Sequence, residues 1–340
     1  MTVKDLSYIV VRMHALKTYL IDPAYLKNYI ANATSLEELA SYLYGTYYRE
    51  KLARLEKKVT KNTIMDVIRS VFEERCGMLI SSLPYPYSEF VQNYVLRFDI
   101  KSLVRILAEK YKEIPHEPIE SYRYEFSVLD YASLLKARSI KELLKILPSS
   151  FFGDASKLAL ELWERYKSLY AVELVLWSTY YRKLIRFLGE LPSEEAEFVW
   201  RCLGVEVDLM NISIVLGPMK YGFSVDYLDR MLIEKSYRVM ISELKKIYGL
   251  EPRLATRVVP EVYREVVEQY LIGADFYAKT LGERIIMKEV LNILPRDPIG
   301  FGYVFGILKL FEFEFENLRV VVESIVKGLR KDMIQRMVII

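Results

Sequence analysis

The sequence predicts an all-α protein made of three related units, and three observations carry that prediction. Most of its 340 residues fall in long segments that mix charged and apolar side chains, with few strand-like alternations, and the 14 Gly and 12 Pro cluster at breaks. A short pattern then recurs: Asp99-Ile-Lys-Ser-Leu-Val-Arg-Ile-Leu107, Asp208-Leu-Met-Asn-Ile-Ser-Ile-Val-Leu216 and Glu314-Phe-Glu-Asn-Leu-Arg-Val-Val-Val322, set 109 and then 106 residues apart. Finally, the same apolar stripe runs through each copy: Leu96, Ile100, Leu103, Leu107; Val205, Leu209, Ile212, Leu216; Phe311, Phe315, Leu318, Val322. Steps of four, three and four are the period of one buried helix face. Because 52% of the chain is apolar, the acid and the Ser or Asn three residues after it are the informative matches.

Taken in order, Tyr8 to Leu20 reads as a helix. Ser35-Leu-Glu-Glu-Leu39, with Leu43, Tyr47 and Tyr48, is echoed 104 residues later by Ser139-Ile-Lys-Glu-Leu143, with Leu147, Phe151 and Phe152. The first motif helix ends at Glu113-Ile-Pro-His-Glu-Pro118, where two prolines interrupt helical bonding. A second break is expected at Leu216-Gly-Pro-Met-Lys-Tyr-Gly222, directly after the second copy. The third stripe extends from Val304 to Leu329 and predicts one helix from about Tyr303 to Arg330, its start marked by Asp297-Pro298 and glycines 300, 302 and 306. Three helical domains follow, 1–115, 116–220 and 221–340, a division suited to a chain longer than one core usually holds.

The candidate site residues are structural: Asp99, Ser102, Asp208, Asn211, Glu312, Glu314, Asn317 and Arg319. Helical geometry puts Glu314 and Asn317 on one side of the third stripe and Glu312 and Arg319 on the other, so both pairs border a buried face. Local pairing, Glu316 with Arg319 and Arg319 with Glu323, is the bland alternative. Asp99 and Asp208 could also be N-caps, but Glu314 is a poor cap and its stripe continues through it, so an acid inside the helix beside a packing seam suits all three copies better.

Several chemistries are disfavoured. The 48 basic and 45 acidic residues leave a net charge of +3, too little for a broad nucleic-acid footprint. His14 and His116 lack a second ligand at metal spacing, Gly300-Phe-Gly-Tyr-Val-Phe-Gly306 lacks the strand and Gly-Lys-Ser/Thr end of a phosphate loop, and Cys76 and Cys202 suggest no disulfide framework. No catalytic, cofactor or metal residue is therefore assigned. The opening Met1-Thr-Val-Lys-Asp-Leu-Ser7 lacks a signal-peptide core, and no uncharged stretch is long enough to cross a bilayer. The 27 Tyr and 15 Phe suit half-buried seams and protein interfaces.

These residues resemble a known family, the C subunit of archaeal A-type and bacterial V-type ATP synthases, similar to the d subunit of the eukaryotic vacuolar ATPase. The resemblance rests on Tyr8, Arg12, Leu16 and Leu20, on Leu43 with Thr46-Tyr47, on Asp99, on Asp208-Leu-Met-Asn-Ile212, and above all on Glu312-Phe-Glu-Phe-Glu-Asn-Leu-Arg319, which looks like the family's closing Glu-x-Glu-x-x-Asn-Leu-Arg. It spans the chain and departs at Ser102, where Asn is more usual, and at Gly217-Pro218, where the family typically continues with Arg. The resemblance implies three similar helical domains around a pseudo-threefold axis, forming a funnel. It also implies a non-catalytic central-stalk adaptor, peripheral on the cytoplasmic face of the membrane, whose partners are the shaft subunits and the proteolipid ring, with no cofactor. A soluble helical-repeat scaffold that binds other proteins is the alternative.

Overall fold

Three successive runs of helices follow one plan in the computed structural model, which describes residues 3–32, 35–54, 59–147, 151–222, 224–248 and 252–339. Met1 and Thr2 of the opening segment lie outside that range. The first run holds α1 (Val3–Lys17), α2 (Pro23–Asn32), α3 (Leu36–Leu43), α4 (Arg49–Ala53), the long α5 (Lys61–Ser82) and the pair α6 (Tyr87–Val95) and α7 (Arg97–Tyr111). The second holds α8 (Tyr131–Lys136), α9 (Ile140–Ile146), α10 (Gly153–Tyr166), α11 (Leu169–Leu188) and α12 (Ser193–Tyr221). The third holds α13 (Leu228–Met231), α14 (Ile241–Ile247), α15 (Pro252–Val258), α16 (Glu261–Leu271), α17 (Asp275–Ile293) and α18 (Phe301–Val326), with α19 (Lys331–Met337) after it. No β-strand occurs among the described residues.

In every run short helices lead into a long one, a Leu-Pro step follows, and a closing helix ends the run. The steps are Leu83-Pro84, Leu191-Pro192 and Leu294-Pro295, each leucine buried. The Ser35 and Ser139 echo is a pair of N-caps: each hydroxyl accepts the N–H of the glutamate three residues on, Glu38 and Glu142. A third member, Ile241-Ser-Glu-Leu244 of α14, escapes sequence reading because Met240 sits at its cap.

The ends of the closing helices repeat as well. Glu113, Gly222 and Gly328 all have left-handed backbone (φ 54°, 69° and 62°), and each lies fourteen residues beyond the acid of its motif. Glu113 and Gly328 sit in matching double caps: the N–H groups of Glu113 and Ile114 reach Lys110 and Glu109, and those of Gly328 and Leu329 reach Ile325 and Ser324. This cap stops α18 at Val326, so the helix expected to run to Arg330 is shorter by a turn although its apolar stripe continues.

The break expected at Leu216–Gly222 is not there. α12 runs through Pro218 and ends at Tyr221. Proline removes one ladder bond, at a cost of about 3 kcal/mol in a helix interior. Here Ile212, Ile214, Val215 and Leu216 are nearly fully buried just before it, and the helix needs to persist only three residues beyond. The first closing helix is the interrupted one, broken at Leu96 between α6 and α7.

By packing, the chain forms two compact units. One comprises residues 1–85, 194–202 and 272–340. Its core is α18, against which α1, α3, α5, α17 and α19 pack. Phe301, Val304, Leu308 and Phe311 are wholly buried there, and Phe315 stacks on Phe72 of α5 at 4.8 Å. The start of α18 is close-packed: a Cβ on Gly300 or Gly302 would strike the Asp297 carboxylate, and one on Gly306 would press on Leu294 at 2.8 Å. The other unit comprises residues 86–193 and 203–271. In it α11 packs against α6, α7 and α10, burying Val172, Val175, Leu176 and Tyr180. Cys76 and Cys202 are both buried free thiols.

Candidate functional site

Each motif helix carries a buried acid followed three residues later by a buried Ser or Asn, and each such pair forms a socket that grips chain from another segment. Positions three apart lie on one face a turn apart, which lets one helix hold two points of another segment at once.

In the first socket the Asp99 carboxylate accepts the Val128 N–H at 2.9 Å and the Tyr131 hydroxyl at 2.8 Å. Ser102 Oγ donates to the Tyr122 carbonyl at 2.7 Å. Asp99 caps no helix of its own; its bonds reach about thirty residues downstream. In the second, Asp208 accepts the N–H groups of Tyr237 and Arg238 (2.8 and 2.7 Å) and the Tyr263 hydroxyl (2.9 Å). Asn211 pairs with Ile233 through both its amide groups, Nδ2 to the carbonyl at 3.0 Å and Oδ1 from the N–H at 2.8 Å. In the third, Asn317 makes the same two bonds to Ile339, at 2.8 and 2.6 Å.

The third acid turns the other way along the chain. Glu314 accepts the Ile21 N–H at 2.6 Å and the Tyr48 hydroxyl at 2.8 Å, partners 293 and 266 residues upstream. The Arg75 guanidinium adds a buried ion pair at 2.7 Å. Arg75 is also stacked against Phe311 and Tyr47, 4.5 and 5.3 Å from the ring centres, while its Nε and Nη2 have no hydrogen-bond partner among the described residues. The pairing order is therefore cyclic: the first two sockets hold the start of the next run, and the third holds the start of the first. Closing a loop of 293 residues rather than 29 costs about 2 kcal/mol more chain entropy.

Electrostatics separates the sockets. Burial pushes Asp99 and Asp208 above the usual aspartate range, more than their N–H and O–H donors pull them down. Burial likewise pushes the Tyr48 and Tyr131 hydroxyls up, with the adjacent carboxylate adding to it, so both remain protonated donors. For Arg75 burial acts downward, but Glu314 outweighs it and the guanidinium is held above its ordinary value.

Glu312 and Arg319 have different surroundings. Glu312 pairs with Lys309 on its own helix at 2.9 Å, and that lysine is wholly buried, with its ammonium over the Phe313 ring. Arg319 is half-exposed and pairs with Glu316 at 2.7 Å, one of the two local pairs weighed from sequence. The structure thus brings Glu314 and Asn317 together in one socket and leaves Arg319 outside it.

Sequence reading missed Arg97 and Glu206. Both are buried, and Arg97 grips Glu206 with two nitrogens while its Nη1 also donates to Tyr94 Oη at 2.7 Å. Tyr181 donates to the same carboxylate at 3.1 Å. A signal existed: carrying Glu312 back by the motif spacing lands on Glu206 and then on Arg97. Arg75, Tyr131 and Tyr263 had no such signal, since none lies in the motif, and Tyr48 stood out only as part of the Ser35 and Ser139 echo. Among the described residues no group of three or more His, Cys, Asp or Glu is placed to hold a metal ion, and no helix is long and apolar enough to cross a membrane. Such an arrangement grips chain segments.

Comparison with known proteins gives a match to the family model of the ATP synthase (C/AC39) subunit over residues 9–337. The chain is similar to the C subunit of the A-type ATP synthase of Methanocaldococcus jannaschii, 22% identical over 98% of this chain and 86% of that protein. It is also similar to the C subunits of the A-type enzymes of Thermococcus kodakarensis, 21% identical over 92% and 84%, and Thermoplasma acidophilum, 20% identical over 90% of each.

Proposed function

The chain belongs to the ATP synthase (C/AC39) subunit family, and on that premise we propose that it is a non-catalytic central-stalk adaptor of a rotary ATP synthase. In this reading it lies peripherally on the cytoplasmic face of the membrane, seated on the proteolipid ring and holding the shaft. Ion flow turns the ring, the adaptor turns with it, and torque passes to the head where ATP is made; ATP-driven pumping runs the same coupling backwards.

The observation that carries the proposal is the cyclic pairing of the three sockets. Three units of similar sequence, 1–115, 116–220 and 221–340, each gripping the next, are the connectivity expected of a funnel around a pseudo-threefold axis. Torque transmission asks for stiffness and two interfaces rather than bond chemistry. Long helices joined by buried, fully bonded acids supply the stiffness, because loosening any joint would leave a carboxylate unsatisfied out of water.

Affinity purification of the tagged chain from solubilised membranes tests this. Co-recovery of proteolipid and shaft proteins supports the adaptor, whereas recovery of neither, with other proteins bound, would assign a soluble scaffold. Glu314→Ala should lower the amount of assembled complex while ATP hydrolysis by the isolated catalytic head stays unchanged.

A further inference from the structure

The three sockets hold chain that is tethered in two different ways. Ser102 and Asp99 grip Tyr122 and Val128, six residues apart on one continuous segment, and Asn211 and Asp208 grip Ile233 and Tyr237, four residues apart on another. At the third socket Asn317 grips Ile339 and Glu314 grips Ile21, so the two held points belong to opposite ends of the chain. α2 and α19, the helices next to those points, pack on one another. No peptide linkage crosses this joint. It is also the socket whose acid has a guanidinium partner, the buried Arg75.

From this we infer that the third socket is a clasp, the joint at which the folded protein opens first, and that the Arg75–Glu314 ion pair keeps it shut in place of a linker. A segment released from the first or second socket stays beside it, because the residue held one turn away on the same short segment keeps its effective concentration high. When Ile21 leaves Glu314, the grip of Asn317 on Ile339 acts on it only through the packing of α19 on α2, with no continuous short segment between the two points. Local opening is governed by how much each joint must lose, so the joint without a covalent bridge has the lowest barrier, and a stronger contact there limits how often it opens. The buried ion pair is that contact, and the extra methylene of glutamate over aspartate gives the carboxylate the reach for Ile21, Tyr48 and Arg75 together. The inference needs nothing from the adaptor reading and would hold for a scaffold equally.

Native-state hydrogen exchange followed by mass spectrometry on the full-length chain tests it. In the unaltered protein, segments 21–32 and 331–339 should open more readily than the corresponding 128–147. Arg75→Met should speed exchange in those two segments by about tenfold or more and leave 128–147 unchanged. Glu314→Gln, which keeps the size but removes the charge and turns one acceptor oxygen into a donor, should speed exchange in the same two segments and serves if the arginine variant fails to fold. A simple frayed terminus would respond to neither substitution.

A circular permutant gives the converse arm. Met1 and Ile340 are joined by a Gly/Ser linker long enough to pass α1, and new ends are opened between Glu113 and Pro118. The excess opening of 21–32 and 331–339 over 128–147 should then shrink, and Arg75→Met should lose its selective effect. Equal exchange of 21–32 and 128–147 in the unaltered chain, a uniform response to Arg75→Met, or an undiminished difference between them in the permutant would each overturn the clasp.

Discussion

Asp99 and Glu314 occupy the same place in their repeats and are satisfied by opposite means. Asp99 is met by neutral donors from chain about thirty residues away, so its buried charge is only partly compensated. Glu314 faces a cation and two donors from the other end of the sequence. The lesson is that a repeat passes on a place for a buried acid, while the local route of the chain decides which groups answer it. Phe152 shows the same thing from the donor's side. It stands where, on the Ser35 and Ser139 echo, Tyr48 stands; lacking a hydroxyl, it cannot serve the acid, and Tyr131 does so instead.

The sharpest way to break this comparison is to remove each acid. Glu314→Ala strands a buried guanidinium and should cost about 3–5 kcal/mol, whereas Asp99→Ala strands only neutral donors and should cost about 1–3 kcal/mol. Equal losses in chemical denaturation would show that Arg75 contributes nothing special. The partners one turn on give a smaller contrast. Asn317→Ala gives up two bonds to Ile339 and should cost about 2 kcal/mol, Ser102→Ala gives up one and should cost about 1 kcal/mol, read from the same denaturation midpoints.

Glu113 sharpens the comparison at the helix ends. Because Gly222 and Gly328 stand at its repeat equivalents, Glu113→Gly should relieve the left-handed strain and stabilise the protein by up to about 1 kcal/mol, visible as a higher melting temperature. The smallest expected effect is in pH. Raised by burial, Asp99 ionises less readily folded than unfolded, so its contribution to stability is fully present below the ordinary aspartate value of about 3.9 and is lost as pH rises through its raised folded value. Asp99→Asn should therefore cost less at pH 7 than at pH 4.5, and denaturation at both pH values checks the sign.

Much of this was legible beforehand because helices announce themselves locally. The four-three-four stripes, the acid and the Ser or Asn in each copy, and the Pro and Gly near the breaks pointed to an all-helical chain and to candidate seam positions on its motif helices. The Pro218 expectation failed because a proline rule concerns one residue's backbone, and the burial of Ile214 to Leu216 outweighs it. Arg97 and Glu206 were readable in principle from the repeat register, but a base at one copy and an acid at the next do not look alike. That very difference lets them pair.

By itself, then, the amino-acid order determined the helical class, the register of the repeats and the family, since all three depend on periodic patterns within a few turns. Only the tertiary structure decided that Glu314 meets Arg75, Tyr48 and Ile21 and that Ile21 and Ile339 are held by one helix. The physical reason is that a side chain's period is set by its own backbone, while the partner of a buried charge is whichever distant segment folding brings within hydrogen-bond reach.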